Sequence, residues 1–138
     1  MEIRDYKDYN EDEILRLYTS VGWTAYTNNP ASLAGGFEHS LCVLAAYEND
    51  ELIGVIRVVG DGFTIVYVQD ILVHPQWQHH HVGTALLRAV LERFSNVRQI
   101  VLATDDTPKT VAFYKSMGFS ELSEVGCRGF MRVSMTSV

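Results

Sequence analysis

Residues 68–87 read VQDILVHPQWQHHHVGTALL and constrain this chain more than any other stretch. An apolar, β-branched run leads into His74-Pro75. A short polar loop, Gln78-His79-His80-His81, follows, and from Val82 the sequence turns apolar with helical spacing. That order predicts a strand, a tight turn and a helix start. The first N–H groups of a helix have no intrahelical acceptor, and the aligned peptide dipoles place partial positive charge there. Such a junction binds anions, and a diphosphate is its natural ligand.

A second block, AFYKSMGF at residues 112–119, lies about 30 residues downstream. With it the chain resembles the GCN5-related N-acetyltransferases. That family carries [QR]-x-x-G-x-[GA] at a helix start and a later A-x-x-F-Y-x-x-x-G-F. Gln78, Val82, Gly83, Ala85 and Leu86 match the first block; Phe113, Tyr114, Gly118 and Phe119 match the second. The resemblance extends over nearly the whole chain in element order and length.

The expected elements are a strand at 3–6, a helix from Asn10 to Gly22, a polar-aromatic loop at 23–29 and a second helix at 30–39. Strands at 41–47 and 52–59 follow, joined at Asn49-Asp50, then a long central strand at 63–73. A helix at 82–94, a strand at 99–103, a helix at 108–117 and closing strands at 119–122 and 130–135 complete the order. This β-α-α-β-β-β-α-β-α-β-β pattern is a mixed α/β sheet with crossover helices. The resemblance implies a central sheet whose long strand splays from its parallel neighbour.

At 138 residues the chain is expected to form one domain, 1–138, with a real core. Its net charge of −6 argues against nonspecific nucleic-acid binding, which needs a basic surface. No apolar run reaches transmembrane length and no signal-like segment leads the chain, so neither membrane insertion nor secretion is expected. A cytoplasmic protein is the expectation. Cys42 and Cys127 have no metal-like spacing, and Cys42 falls in an apolar strand expected in the core. Three consecutive histidines cannot all point at one ion without distortion, so no metal is expected.

The resemblance implies acetyl-coenzyme A as cosubstrate. Leu72 and Val73 occupy the positions whose backbone would bond its pantetheine arm. Gln78, His79, His80, His81, Val82, Gly83 and Thr84 would surround the diphosphate. Arg88 and Lys115 are weaker candidates for its outer phosphate. His81 stands where the family usually has Gly. Histidine is among the residues enriched at positive φ, so the loop can form at a cost on the order of 1 kcal/mol. Protonated below about pH 6.5, the histidines would add charge toward the diphosphate.

Tyr114 sits at the family's general-acid position, where it would protonate the leaving thiolate. Asp70 is the only acid in the central strand. It could take the amine's proton directly or through water, hold a cationic amine, or form a structural ion pair. Strand alternation places Val68, Asp70 and Leu72 on one face. His74, Glu38 and His39 are lesser candidates. Trp23, Tyr26 and Tyr67, with Phe63, are the expected aromatic walls of an acceptor pocket. Thr107 can cap the last helix ahead of Pro108.

SVGW, the HSLCVLAAYENDELIGVIRVVGDG hairpin, VQDILVHPQWQ and VAFYKSMGF also resemble plastid and bacterial arylalkylamine-type acetyltransferases. The function implied is acetyl transfer to a primary amine of a small molecule. The alternatives are a protein or peptide acceptor, or a non-catalytic acyl-coenzyme A sensor. Family members are often dimers, so a homodimer is possible.

Overall fold

The computed structural model describes residues 1–134. It comprises two compact units, Met1–Ala103 and a second beginning at Thr104.

The first unit is a five-stranded sheet with helices on both faces. Strands β1 (Glu2–Asp5), β2 (Cys42–Glu48), β3 (Glu51–Gly60), β4 (Ile65–Val73) and β5 (Gln99–Leu102) lie in sequence order across it. The first four pair antiparallel, and β4 pairs parallel with β5. The mixed α/β class read from the sequence is the observed one. Asn49 and Asp50, both at positive φ (49° and 65°), make the tight β2–β3 turn. The Asp61 carboxylate organises the turn before β4. It accepts from the Thr64 hydroxyl and from the N–H groups of Phe63, Thr64 and Ile65, which together hold it well below the usual carboxylate range.

One face is covered by α1 (Glu11–Ser20) and α3 (Pro30–Glu38). Asn10 caps α1 by accepting the Glu13 N–H at 3.2 Å, as its position before three acidic residues suggests. Ile14, Leu17 and Tyr18 of α1 pack with Leu33 and Phe37 of α3 against Val43, Ala45, Val55 and Leu72 of the sheet. Residues 23–29, expected as a loop, contain one helical turn, α2 (Thr24–Thr27).

The opposite face is covered by α4 (Val82–Arg93). Gly54 neighbours Val55 on β3 and so points the other way. A Cβ there would lie 3.1 Å from Val82 Cγ1 and 3.2 Å from Leu86 Cδ1, so α4 rests directly on the strand. Leu86 and Leu87 are fully buried; truncating such a side chain costs about 2–5 kcal/mol. Cys42 is half-buried rather than in the core, and Arg93 Nη1 donates to its sulfur at 3.1 Å.

In the second unit α5 (Pro108–Ser116) begins at Thr107, whose hydroxyl accepts the Thr110 N–H at 3.2 Å. The closing strands expected at 119–122 and 130–135 are not strands among the described residues; Met135 lies outside them. Phe119 is spent on the end of α5, its N–H bonding the Tyr114 carbonyl at 3.0 Å. Glu121 and Glu124 then form a reciprocal capping box, which nucleates a 3-10 turn at Leu122–Val125 closed by Gly126 at φ 79°. Phe130 is 92% exposed in the irregular segment that follows.

Candidate active site

A bulge in β4 builds the site. Arg57 of β3 stands opposite Asp70, but the next residue, Val58, stands opposite Val68, which leaves Gln69 as an extra residue. Pairing between β4 and β5 runs only from Ile65 to Val68, so among the described residues β4 has no strand partner on that side from Gln69 onward. Among the described residues the sheet is therefore open along the second half of β4, where the resemblance implies a splay.

Register decides which backbone groups face the opening. The His74 N–H donates to the Ile53 carbonyl at 2.8 Å, toward β3. Alternation sends Leu72 the same way and turns Ile71 and Val73 toward the open edge. The Val73 carbonyl accepts from Gln78 Nε2 at 3.1 Å. Val73 thus presents its backbone where expected. Leu72 instead buries its side chain and turns its backbone to β3, and Ile71 takes the edge position.

At the end of this edge His74 Nδ1 accepts the Gln76 N–H at 3.1 Å and caps a short turn, Pro75–Trp77. The chain reverses through the exposed residues 78–81. His79 and His81 take left-handed φ values of 67° and 64°. His81 therefore adopts the backbone that the family's Gly supplies. Its carbonyl accepts the first helical bond of α4, from the Ala85 N–H at 3.0 Å. Val82, Gly83 and Thr84 are the first three residues of that helix, so their N–H groups have no acceptor within it. Three such donors at the positive end of a 12-residue helix suit a diphosphate. His80 Nδ1 bonds the Gln78 carbonyl at 2.9 Å, and its ring meets Trp77 edge-on. Among the described residues no group of three His, Cys, Asp or Glu side chains is arranged to hold a metal ion.

The bulge also gathers a buried polar cluster. Asp70, 3% exposed, accepts at Oδ2 from Arg57 Nε (2.8 Å) and the Tyr18 hydroxyl (2.9 Å), and at Oδ1 from the Tyr26 hydroxyl (2.7 Å). Arg57 is 6% exposed, and its Nη1 donates to Ser40 Oγ at 3.3 Å. A Cβ on Gly36 of α3 would lie 2.9 Å from that Nη1, so the helix leaves room for the guanidinium. Burial, with the neighbouring Asp70 charge adding to it, pushes the Tyr18 phenol far above its usual range. Burial and the bond to Asp70 raise Tyr26 as well. Val68 is not on the Asp70 face as alternation implied. Its partner Val58 follows Arg57 in β3 and so points the other way, and the extra residue Gln69 carries Val68 to that face with it.

Trp23 and Tyr26 come together beside Tyr18, at ring-centroid distances of 5.9 and 5.3 Å from it. Tyr67 lies two residues before Gln69, paired with Val59, on the Arg57 face. Phe63 is 83% exposed in the turn before β4. The His39 ring bonds back to the Gly35 carbonyl at the end of α3. Arg57, Tyr18, Gln69 and Ser40 were not singled out from the sequence. For Arg57 the signal was available: a single charge inside LIGVIRVVG, the same anomaly that marks Asp70.

In the second unit Tyr114 is 9% exposed, between the rings of Phe113 (5.0 Å) and Phe119 (5.9 Å). Burial raises its phenol above the ordinary value, against a bond with Thr104. Lys115 is paired with Glu121 and Glu124 at 3.4 and 3.5 Å.

An open strand edge leading into the free N–H groups of a helix start is the arrangement that the acetyltransferase resemblance implies. Residues 6–136 match the acetyltransferase (GNAT) domain model, and the chain belongs to that family. It is similar to an acetyltransferase of the GNAT family from Streptococcus pneumoniae TIGR4, 36% identical with a TM-score of 0.87 over 97% of this chain and 98% of that one. It is also similar to the uncharacterized N-acetyltransferase ycf52 of Pyropia yezoensis (23% identity, covering 82% of this chain and 66% of the relative). A ycf52-like protein of Prochlorococcus marinus is 28% identical, covering 78% and 61% respectively. The chain thus spans just under two thirds of the length of those two relatives. Among the described residues no helix is long and apolar enough to cross a membrane.

Proposed function

We propose that this protein is an acetyl-coenzyme A-dependent N-acetyltransferase acting on the primary amine of a small molecule. The observation that carries the reading is the continuity of two binding surfaces: the open edge of β4 runs directly into the free N–H groups at the start of α4. Ile71 and Val73 would bond the amides of an extended pantetheine arm as a neighbouring strand does. Val82, Gly83 and Thr84 would hold the diphosphate. The cosubstrate, when bound, supplies an activated acetyl thioester.

The chain's own residues then have separable tasks. Main-chain donors on β4 polarise the thioester carbonyl as charge develops on its oxygen. Trp23 and Tyr26 offer an aromatic surface to the acceptor, which favours a small organic amine over an extended peptide. Tyr114, kept protonated by its burial, is the proton donor that the family resemblance assigns to the leaving thiolate.

A thiol-release assay tests the reading, with acetyl-coenzyme A against tryptamine, serotonin, polyamines, amino acids, aminoglycosides and a mixed peptide. Selective turnover of a small amine is the expected result. Turnover of the peptide alone would move the acceptor class to proteins. A melting-temperature rise on adding acetyl-coenzyme A, with no turnover of any amine, would favour a sensor.

A further inference from the structure

We propose that Tyr26 is a catalytic residue of this transfer: its hydroxyl takes the proton lost by the acceptor amine and hands its own to Asp70. The inference rests on the acetyltransferase reading above and deepens it.

Three observations lead there. Asp70 is enclosed at 3% exposure, with both carboxylate oxygens engaged by side chains of the protein, so an amine has no direct approach to it. Of the three groups that hold it, Arg57 and Tyr18 are themselves buried, at 6% and 0% exposure; Tyr26 is half-buried. Tyr26 is therefore the member of the cluster that joins the carboxylate to the surface. The third observation is position. The Tyr26 hydroxyl accepts from Gln69 Nε2 at 3.1 Å and donates to Asp70, at the bulge where β4–β5 pairing ends and the open edge begins. An acyl chain lying along that edge from Val73 has its reactive end at this phenol.

The hydrogen-bonding capacity fits. A phenol oxygen has one proton and two acceptor lone pairs. The proton goes to Asp70 and one lone pair to Gln69. The other meets Arg57 Nη2 at 3.4 Å, a long contact that an incoming N–H can displace. As nitrogen bonds to the acyl carbon, its N–H bond breaks toward the Tyr26 oxygen. The Tyr26 O–H bond breaks toward Asp70 Oδ1, and the C–S bond breaks with its electron pair leaving on sulfur. Tyr26 ends neutral and Asp70 protonated, and the proton returns to water by the same path. The guanidinium of Arg57 already pairs with the carboxylate, so Asp70 is not an anchor for a cationic amine.

Tyr26→Phe keeps the ring and its contacts with Tyr18 and Trp23. The test compares its pH–rate profile with that of wild type and Asp70→Asn, using an amine that wild type acetylates, with acetyl-coenzyme A binding followed separately by thermal shift. Both variants should bind acetyl-coenzyme A within about twofold of wild type and lose about 100-fold or more in kcat. Without the relay, kcat should climb about tenfold per pH unit into the alkaline range where wild type has levelled off. A Tyr26→Phe enzyme with the wild-type profile, or with a defect confined to the acceptor KM, overturns the relay and leaves the transferase reading standing. Wild-type protein that binds acetyl-coenzyme A yet acetylates no amine overturns the transferase reading and the relay with it.

Discussion

Gln69 and Asp70 are consecutive in β4, yet both reach the same phenol: Tyr26 accepts from Gln69 at 3.1 Å and donates to Asp70 at 2.7 Å. In a regular strand, neighbours point to opposite faces and could not converge. The bulge makes convergence possible, because its two residues stand against one position of β3 and turn the same way. The pairing with β5 ends beside it, at Val68, where β5 itself ends. The extra residue therefore gathers the polar cluster where the sheet opens.

That cluster makes a stability prediction. Asp70 and Arg57 form a buried pair, with side chains 2% and 7% exposed. Removing one partner strands the other charge, and such losses are about 3–5 kcal/mol. Asp70→Ala and Arg57→Ala should each destabilise on that scale. The double substitution should cost clearly less than their sum, since neither charge is then left alone. Urea unfolding of the four proteins reads this coupling directly; additive losses would mean that the pair is not coupled.

His81 at φ 64° occupies a conformation that disfavours side chains by about 1–2 kcal/mol, part of which glycine's greater unfolded freedom offsets. His81→Gly should therefore stabilise the protein by about 0.5–1 kcal/mol, whereas His81→Val, β-branched at positive φ, should destabilise it. Both are measured by the urea midpoint. Acetyl-coenzyme A affinity should barely change in the glycine variant, because the groups proposed to bind it are main-chain N–H.

What the sequence made legible is what local pattern determines. The strand-to-helix junction at 68–87, the Asn10 and Thr107 caps and the Asn49-Asp50 turn each follow from a few adjacent residues. The bulge does not, because VYVQDILV is an unbroken strand pattern and Gln69 carries no mark of being extra. Its position depends on how β3 and β4 pair. Without it, alternation put Val68 on the wrong face. The closing strands were misread for a different reason. The reciprocal pair Glu121 and Glu124 is a local helix-start signal, and it outweighed the apolar content of its neighbours.

Burial raises the phenols of Tyr6, Tyr9, Tyr18, Tyr26, Tyr47 and Tyr114 above their ordinary value. Unfolded tyrosines release their protons near pH 10, while these hold theirs. Above about pH 10 the folded state therefore binds more protons than the unfolded state, and stability falls as pH rises. Below that pH these groups contribute no slope. Melting temperature should be insensitive to tyrosine ionisation at neutral pH and drop steeply above about pH 10, with phenolate absorbance appearing at the unfolding transition. Phenolate formation by all seven tyrosines in protein that remains folded would contradict this.

Gly54 links packing to ligand binding. A Cβ there would lie 3.1 Å from Val82 Cγ1, 3.2 Å from Leu86 Cδ1 and 3.2 Å from the Leu72 carbonyl oxygen. The carbonyl belongs to the sheet and is the least free to yield, so the added methyl must be absorbed mainly by α4. Overpacking of this kind costs about 1–3 kcal/mol. Val82 is the first residue of α4, so the displacement falls on the N–H groups assigned to the diphosphate. Gly54→Ala should therefore lower acetyl-coenzyme A affinity as well as stability. Leu86→Ala removes packing from the same contact without pushing the helix outward, and should lower stability more than affinity. Calorimetric titration alongside urea unfolding of both variants separates these effects. Equal affinity loss per kcal/mol of destabilisation in the two would mean that the seat of α4 on Gly54 has no particular part in placing the anion site.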